Sequence, residues 1–193
     1  MRDLRGLLGL LEGQDAAERL RAAEELGDHP SFEAVSGLVS RLESDECRAV
    51  QEACLVSLCR IGTAEVGEEA ARLLRSSDAY VRNAAAEILQ ELGDKAEHVV
   101  RALLCDPDPD VRLLAVRVAG EGHFSGALPL LREVVLTDPD VNVVGSAVEY
   151  LGELGGSSQD REAICQARSR LSNPYLDFAV ETALSKMGVS CEE

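Results

Sequence analysis

Apolar residues recur at helical spacing between Asp78 and Gly93. The face they form consists of Val81, Ala84, Ala85, Ile88, Leu89 and Leu92. This 3.6-residue period predicts an amphipathic helix. Asp78 is placed to cap the first turn of that helix, and Gly93 is placed to end it with a left-handed residue.

The same pattern occurs six times along the chain. Further copies open at Asp15, Val50, Val111, Val143 and Leu176, so that successive copies start about 30 to 35 residues apart. A second apolar helix pattern lies between successive copies, and polar turns such as DPDPD and TDPD separate them. Such self-similarity is the signature of stacked repeats. We expect six helix pairs and no strands, with repeats at approximately 1–28, 29–62, 63–94, 95–123, 124–156 and 157–189.

The stretch DPDVR, followed by an Ala- and Leu-rich helix, resembles HEAT repeats, as does the LG that ends such a helix at Gly93. The short period is similar to that of the phycobilisome lyase-like bacterial type. The resemblance covers essentially the whole chain. It implies an all-α, right-handed α-solenoid of about six HEAT-like helix pairs, forming a single domain over 1–193. It also implies that the second helix of each pair lines a concave side.

The resemblance further implies ladders of Asp and Arg side chains between repeats. Arg82 and Arg112 directly follow the first apolar residue of their helices, and Asp78, Asp108 and Asp140 lie in the turns. We expect these residues to form the ladder. Exposed pairs of this kind contribute only about 0.5 kcal/mol each, so apolar stacking must hold the fold.

A groove on the concave side is the candidate binding site. Positions two, five, six and nine beyond the first apolar residue of each inner helix point away from its apolar stripe. The expected partner-binding residues are Glu52, Asn83, Glu87, Leu113, Val116, Arg117, Val148, Glu149, Phe178 and Glu181. An apolar patch with an acidic rim suits a basic or amphipathic peptide or helix of another protein. In the alternative interpretation, position five packs against neighbouring inner helices and leaves no apolar patch.

Two stretches allow two interpretations each. Gly120 and Gly122 stand where helix formers are expected, so the helix either frays into a hinge or is completed by Phe124, which tucks in. The N-terminal helix, 2–12, is rich in leucine. It either packs on the first repeat or docks a partner or a second copy, and the oligomeric state stays open.

Composition narrows the range of functions. The chain has 19 Lys and Arg against 35 Asp and Glu, a formal charge of −16, and such a surface repels nucleic-acid backbones. It also has no Trp, so lesion recognition of the kind found in HEAT-like alkylpurine glycosylases is disfavoured. A phosphate-binding loop and a nucleophile elbow are missing. His29, His98 and His123 form no His-Glu pair, so the metal-binding motifs of HEAT-fold deoxyhypusine hydroxylases are missing too. We expect no catalytic residues, metal or cofactor.

The cysteines and the apolar segments bear on localisation. Cys54, Cys59, Cys105 and Cys165 lie in apolar helical patterns, where free cysteine behaves as a small buried hydrophobe. Neither a signal peptide nor a membrane-length apolar segment is recognisable. We therefore expect a reduced, cytoplasmic protein without membrane partners.

These observations together favour a non-catalytic scaffold or adaptor that binds a partner protein in its groove. The alternative that the repeat type permits is a bilin lyase-like enzyme or a bilin chaperone acting on a biliprotein. Bound pigment, or cysteine-linked transfer to a biliprotein, would distinguish the two.

Overall fold

The computed structural model describes residues 3–189, and these form twelve α-helices and no strand. A short 3-10 helix, Gly93–Ala96, precedes the seventh α-helix. The all-α prediction is confirmed. The helices are α1 (Leu4–Leu11), α2 (Ala16–Leu26), α3 (Phe32–Ser44), α4 (Arg48–Ile61), α5 (Ala64–Leu73), α6 (Ala79–Leu92), α7 (Glu97–Leu103), α8 (Pro109–Glu121), α9 (Ala127–Thr137), α10 (Val141–Leu154), α11 (Ser158–Arg170) and α12 (Pro174–Met187).

The chain forms two compact units, Met1–Val99 and Val100–Glu193. In unit 1 the even-numbered helices α2, α4 and α6 pack side by side, and α1, α3 and α5 form a second row against them. In unit 2 the helices α8, α10 and α12 pack side by side, and α9 and α11 cover them. We call the even-numbered helices the inner helices and the odd-numbered ones the outer helices.

The cores are built from aliphatic side chains. In five of the six copies the residue that opens the inner-helix pattern, here called the anchor residue, is buried: Val50, Val81, Val111, Val143 and Leu176. Asp15, which opens the first copy, is instead exposed and caps α2. The predicted apolar face of α6 is buried along its whole length. A single helix pair cannot bury such a stripe, so each pair depends on its neighbours.

Aspartates and glycines set the ends of the inner helices as predicted. Asp78 accepts a hydrogen bond from the backbone N–H of Tyr80 at 2.8 Å, and Asp108 and Asp140 cap α8 and α10 in the same way. Gly93 follows α6 with a φ of +53°, a conformation that favours glycine.

The Asp–Arg ladder exists, but with a different set of aspartates. Arg112 binds Asp138 through two hydrogen bonds, Nε to Oδ2 at 2.7 Å and an Nη to Oδ1 at 3.1 Å. Arg19 binds Asp45 in the same bidentate way at 2.7 and 2.9 Å. The prediction that Asp108 and Asp140 form the ladder is wrong, because their carboxylates cap helices.

The glycines near the end of α8 do not break the helix. α8 continues through Gly120 to Glu121, and the ring of Phe124 is buried. The interpretation in which Phe124 tucks in is therefore confirmed. Near the N-terminus, Leu7 and Leu11 are fully buried where α1 packs against α2 and α3. The leucines of α1 thus serve the core of unit 1.

The cysteines depart from the expectation at two positions. Cys54 is free and buried, as predicted, and Cys59 is free and half-buried. Cys105 is free but exposed, and Cys165 is disulfide-bonded. The prediction of a buried free thiol is therefore wrong for Cys105 and Cys165.

Candidate partner-binding faces

On the inner helices, the residues that the prediction names at positions two and six after the anchor residue are exposed or half-buried, whereas Gly145, at position two of α10, is buried. At position two, Leu113 is half-buried and the others named in the prediction are exposed. At position six, Arg117 is half-buried and the glutamates are exposed. The exposed set consists of Glu52, Asn83, Glu87, Glu149 and Phe178.

The residues at position five of α8 and α10 are not on the surface of the protein. Val116 and Val148 are completely buried, which contradicts their assignment to an exposed apolar patch. The reason is that α8, α10 and α12 pack side by side, so that a residue pointing along the row lies inside a helix–helix contact. Glu181 holds this position on α12 and is exposed, and its carboxylate lies 3.4 Å from an Nη of Arg168. The alternative interpretation of position five is confirmed for the two valines.

Within unit 2, the expected apolar patch is not continuous, because its two valines are buried. Glu52, Asn83 and Glu87 belong to unit 1, on the neighbouring helices α4 and α6. In unit 2, Leu113 lies on α8 and Phe178 on α12, and α10 packs between these two helices.

An aromatic pair on α12 is the most exposed apolar feature of the inner helices. Phe178 is 68% exposed, and Tyr175, three residues earlier, is 42% exposed. Residues three apart lie side by side on a helix, so these two rings share one face. Tyr175 also covers Gly145 on α10, where a Cβ would lie 2.5 Å from the ring. The Tyr175 ring is therefore packed against α10 on one side and exposed to solvent on the other.

Each of the three tyrosines links two inner helices, a feature that the sequence interpretation missed. Its hydroxyl donates to a glutamate on the preceding inner helix. The pairs are Tyr80–Glu52 at 2.8 Å, Tyr150–Glu121 at 2.7 Å and Tyr175–Glu149 at 3.4 Å. The sequence does contain a sign of these links, because Tyr80 and Tyr175 both directly precede an anchor residue.

These links shift the titration of the tyrosines. Burial, together with the hydrogen bond to Glu52, raises the pKa of Tyr80 to about 12. Burial and the neighbouring glutamates also raise the pKa of Tyr150 and of Tyr175. The guanidinium of Arg48 stacks on the Tyr80 ring at 3.7 Å from its centroid, which fixes that ring further. The tyrosines are thus neutral donors at physiological pH.

A depression lies between α2 and α4 on the inner side of unit 1. Its volume is about 460 Å³, within the range of small ligand sites. Its apolar lining comes from Leu20, Ala49, Ala53 and Val56, of which Val56 is 49% exposed. The rest of the lining is polar: Glu24, Glu52, Ser57 and Arg60. The predicted residue Glu52 therefore borders an open apolar site.

The described residues offer no metal-binding cluster. Between residues 3 and 189, no three His, Cys, Asp or Glu side chains are arranged to hold a metal ion. Two smaller depressions lie on outer helices of unit 2, one between α7 and α9 beside Cys105 and one between α9 and α11 beside Leu136. No helix in this part of the chain has the length and apolar character needed to span a bilayer.

Comparison with known proteins identifies the family. No curated protein matches the chain. Similar solved structures include the complex of CpcE and CpcF of phycocyanin lyase from Nostoc sp. PCC7120, at 20% identity and a TM-score of 0.47, covering 97% of this chain and 78% of that one. Human deoxyhypusine hydroxylase in complex with glycerol has 16% identity and a TM-score of 0.48, covering 94% and 83%. An archaeal HEAT-like repeats protein from Thermococcus onnurineus NA1 has 16% identity and a TM-score of 0.46, covering 96% and 88%.

At these identities and scores the structural likenesses say nothing about function. The sequence comparison is stronger, because a profile of HEAT repeats matches residues 4–90 and 96–185, which is nearly the whole chain. The chain therefore belongs to the HEAT-repeat family.

Proposed function

We propose that this protein is a non-catalytic scaffold that binds a peptide or helix of a partner protein on its inner helices. Helical repeats present extended surfaces whose shape exists before the partner arrives, so little ordering entropy is lost on binding. The observation that carries the proposal is the exposed aromatic pair Tyr175–Phe178 on α12.

The pair has the composition of a binding hot spot. Aromatic side chains are enriched where partner proteins bind most strongly, and contiguous exposed apolar surface usually marks such sites. The carboxylates of Glu149 and Glu181 are exposed on the same row of helices. Together with the net charge of −16, they favour a partner segment that carries basic residues beside its apolar ones.

Exposure of a single ring does not by itself indicate a binding site, as Phe32 illustrates. It is 72% exposed at the start of the outer helix α3. Three residues further along the same face, however, Val35 is buried. Phe32 is thus an isolated exposed ring, of the kind that occurs on many surfaces, whereas Phe178 has an exposed aromatic neighbour.

The two phenylalanines provide a matched experiment. A photo-crosslinking amino acid, p-benzoylphenylalanine, would replace Phe178 in one protein and Phe32 in another, and both would be irradiated in native cell extract. We expect the same partner to be captured repeatedly at position 178 and not at position 32. The captured protein would then be purified, and its affinity for wild type and Phe178→Ser compared.

A loss of affinity of at least tenfold in Phe178→Ser, with unchanged circular dichroism, would support the proposal. Equal capture at both positions, or equal affinity of the two proteins, would contradict it.

A further inference from the structure

We infer that the depression between α2 and α4 binds a tyrosine side chain of a partner segment in which basic residues flank the tyrosine. The inference rests on the proposed function, because it specifies the chemistry of a protein partner at unit 1. It follows from the way in which tyrosines fill the equivalent places on two other inner helices, α6 and α12.

Two of the tyrosines hold the same position on their inner helices. Tyr80 directly precedes the anchor residue Val81, and Tyr175 directly precedes Leu176. Each ring reaches back to the preceding inner helix, where its hydroxyl donates to a glutamate. On α4 the residue in this place is Ala49, directly before Val50. An alanine cannot reach α2, so the space that a tyrosine ring would occupy is open.

On the α2 side, a leucine and a glutamate border the open space. Arg19 and Arg112 form equivalent bidentate pairs with aspartates that lie 26 residues later. Arg112 is one residue beyond its anchor residue, so Glu18 stands in the anchor position of α2, and Asp15 is its capping residue, equivalent to Asp108. Leu20 and Glu24 therefore hold positions two and six of α2. Two of the three glutamates that accept from tyrosines hold these positions: Glu52 is position two of α4, and Glu149 is position six of α10. Glu24 is therefore placed to accept a hydrogen bond from a phenol in the depression.

The lining of the depression has both apolar and polar parts. Leu20, Ala53 and Val56 offer apolar contact to the faces of a ring, and the exposed carboxylate of Glu24 offers an acceptor to its hydroxyl. The basic group at the rim, Arg60, is held by Asp28 at 3.4 Å and by the backbone carbonyl of Glu24 at 3.3 Å. An amphipathic side chain with an apolar body and a donor tip satisfies both parts of the site.

Two of the three charged residues that line the depression are acidic. Glu24 and Glu52 are both exposed at the rim, on a chain with a net charge of −16. Flanking lysines or arginines would be attracted to this surface and flanking acids repelled. The occupant is therefore a tyrosine between basic residues, supplied by another protein.

Short peptides test the chemistry directly. The probe is the blocked pentapeptide Lys-Lys-Tyr-Lys-Lys, compared with versions that carry Phe or Ser at the centre and with Glu-Glu-Tyr-Glu-Glu. In nitrogen-15 NMR titrations, we expect the tyrosine peptide to shift amide signals of α2 and α4. We expect the dissociation constant to be about fivefold larger for the Phe peptide, which lacks the donor hydroxyl. The Ser peptide should bind at least tenfold more weakly, and the Glu peptide should not bind measurably.

A substitution in the protein tests whether Ala49 holds the position that Tyr80 and Tyr175 hold on their helices, and this test does not require the natural partner. Ala49→Tyr introduces into the depression a tyrosine at the position directly before the anchor residue, which Tyr80 holds on α6 and Tyr175 holds on α12. We expect the melting temperature to rise by about 3 °C and the affinity for the tyrosine peptide to fall at least tenfold. Ala102→Tyr is the matched control, because Ala102 is an exposed helical alanine on α7. It should change neither quantity.

Three results would contradict the inference without contradicting the proposed function. Equal affinities for the Tyr and Ser peptides, signal shifts on α12 instead of α2 and α4, or unchanged binding by Ala49→Tyr would each overturn the inference. The proposed function would still stand if photo-crosslinking captured a partner at position 178. If both experiments failed, both conclusions would fall.

Discussion

The ring of Tyr150 on α10 lies directly against Gly120 on α8. A Cβ built on Gly120 would collide with three atoms of the ring, so the absence of a side chain is what allows the contact. The Tyr150 hydroxyl also donates to Glu121, the neighbour of that glycine, at 2.7 Å. The glycine that looks like a weak point in the sequence is thus a contact point between two inner helices.

Gly120→Ala is expected to destabilise the protein, although alanine is the better helix former. The substitution should add about 1 kcal/mol of helix propensity, but the Tyr150 ring must move and strain its packing, at a cost of about 1–3 kcal/mol. We expect a net loss in the free energy of unfolding, measured by urea denaturation.

Gly9→Ala is the matched control for that experiment. Gly9 lies within α1, and a Cβ there would meet nothing within 4 Å. The same substitution should therefore leave stability unchanged or raise it. Stabilisation by Gly120→Ala would show that the ring has room to move.

Arg112→Ala is expected to cost about 3–5 kcal/mol. Its partner Asp138 is 5% exposed, so the substitution leaves a carboxylate buried without its cation. Arg112 also donates to the backbone carbonyls of Asp106 and Pro107, which a lysine could not reproduce together with the bidentate pair. Arg112→Lys should therefore recover only part of the loss in urea denaturation.

The exposed pair of Lys186 and Glu153 provides the comparison. Its atoms are 2.7 Å apart, the same distance as in the buried pair, but both side chains are about half exposed. Lys186→Ala should cost less than about 1 kcal/mol. Equal losses for the two substitutions would show that burial of Asp138 does not decide the energy.

Asp160 should make stability depend on pH at the acidic end. It is buried, which raises its pKa, but hydrogen bonds from Ser157, Arg132 and Gly156 outweigh burial and lower the pKa to about 2. Because the folded-state pKa lies below the unfolded value of 3.8, the contribution is complete above pH 3.8. It is lost as the pH falls through about 2.

Asp160→Asn removes this contribution. We expect the variant to be less stable than wild type by about 2 kcal/mol at pH 7. The difference should shrink when urea denaturation is repeated at pH 4, 3 and 2. A difference that is constant from pH 7 to pH 2 would mean that lost packing, and not the charge, accounts for it.

The thiols should differ sharply in reactivity. Burial raises the pKa of Cys54 to about 12, so little of it is thiolate at pH 8, whereas Cys105 is exposed. We expect iodoacetamide at pH 8 to alkylate Cys105 at least tenfold faster than Cys54, as followed by peptide mass spectrometry. In 6 M urea the two rates should converge. Comparable rates in the native protein would contradict the burial of Cys54.

The helical repeats could be predicted from sequence because the residues that form and end each helix are close together in the chain. Asp78 and Gly93 bound α6 as expected, since caps and glycine ends act within one turn. Surface positions were harder, because exposure depends on the neighbouring helix. Val116 and Val148 point away from the stripe of their own helices and are nevertheless buried. The partner of Arg112 was missed for the same reason, since Asp138 is 26 residues away.

The tyrosine–glutamate links also give the protein a spectroscopic readout of its own. The chain contains three tyrosines and no tryptophan, so its near-ultraviolet absorption and intrinsic fluorescence come mainly from these three rings. Every ring stands at a junction between two inner helices, one in unit 1 and two in unit 2. A change in tyrosine signal on addition of a ligand that itself contains no aromatic group therefore reports a change at a helix junction, without any label.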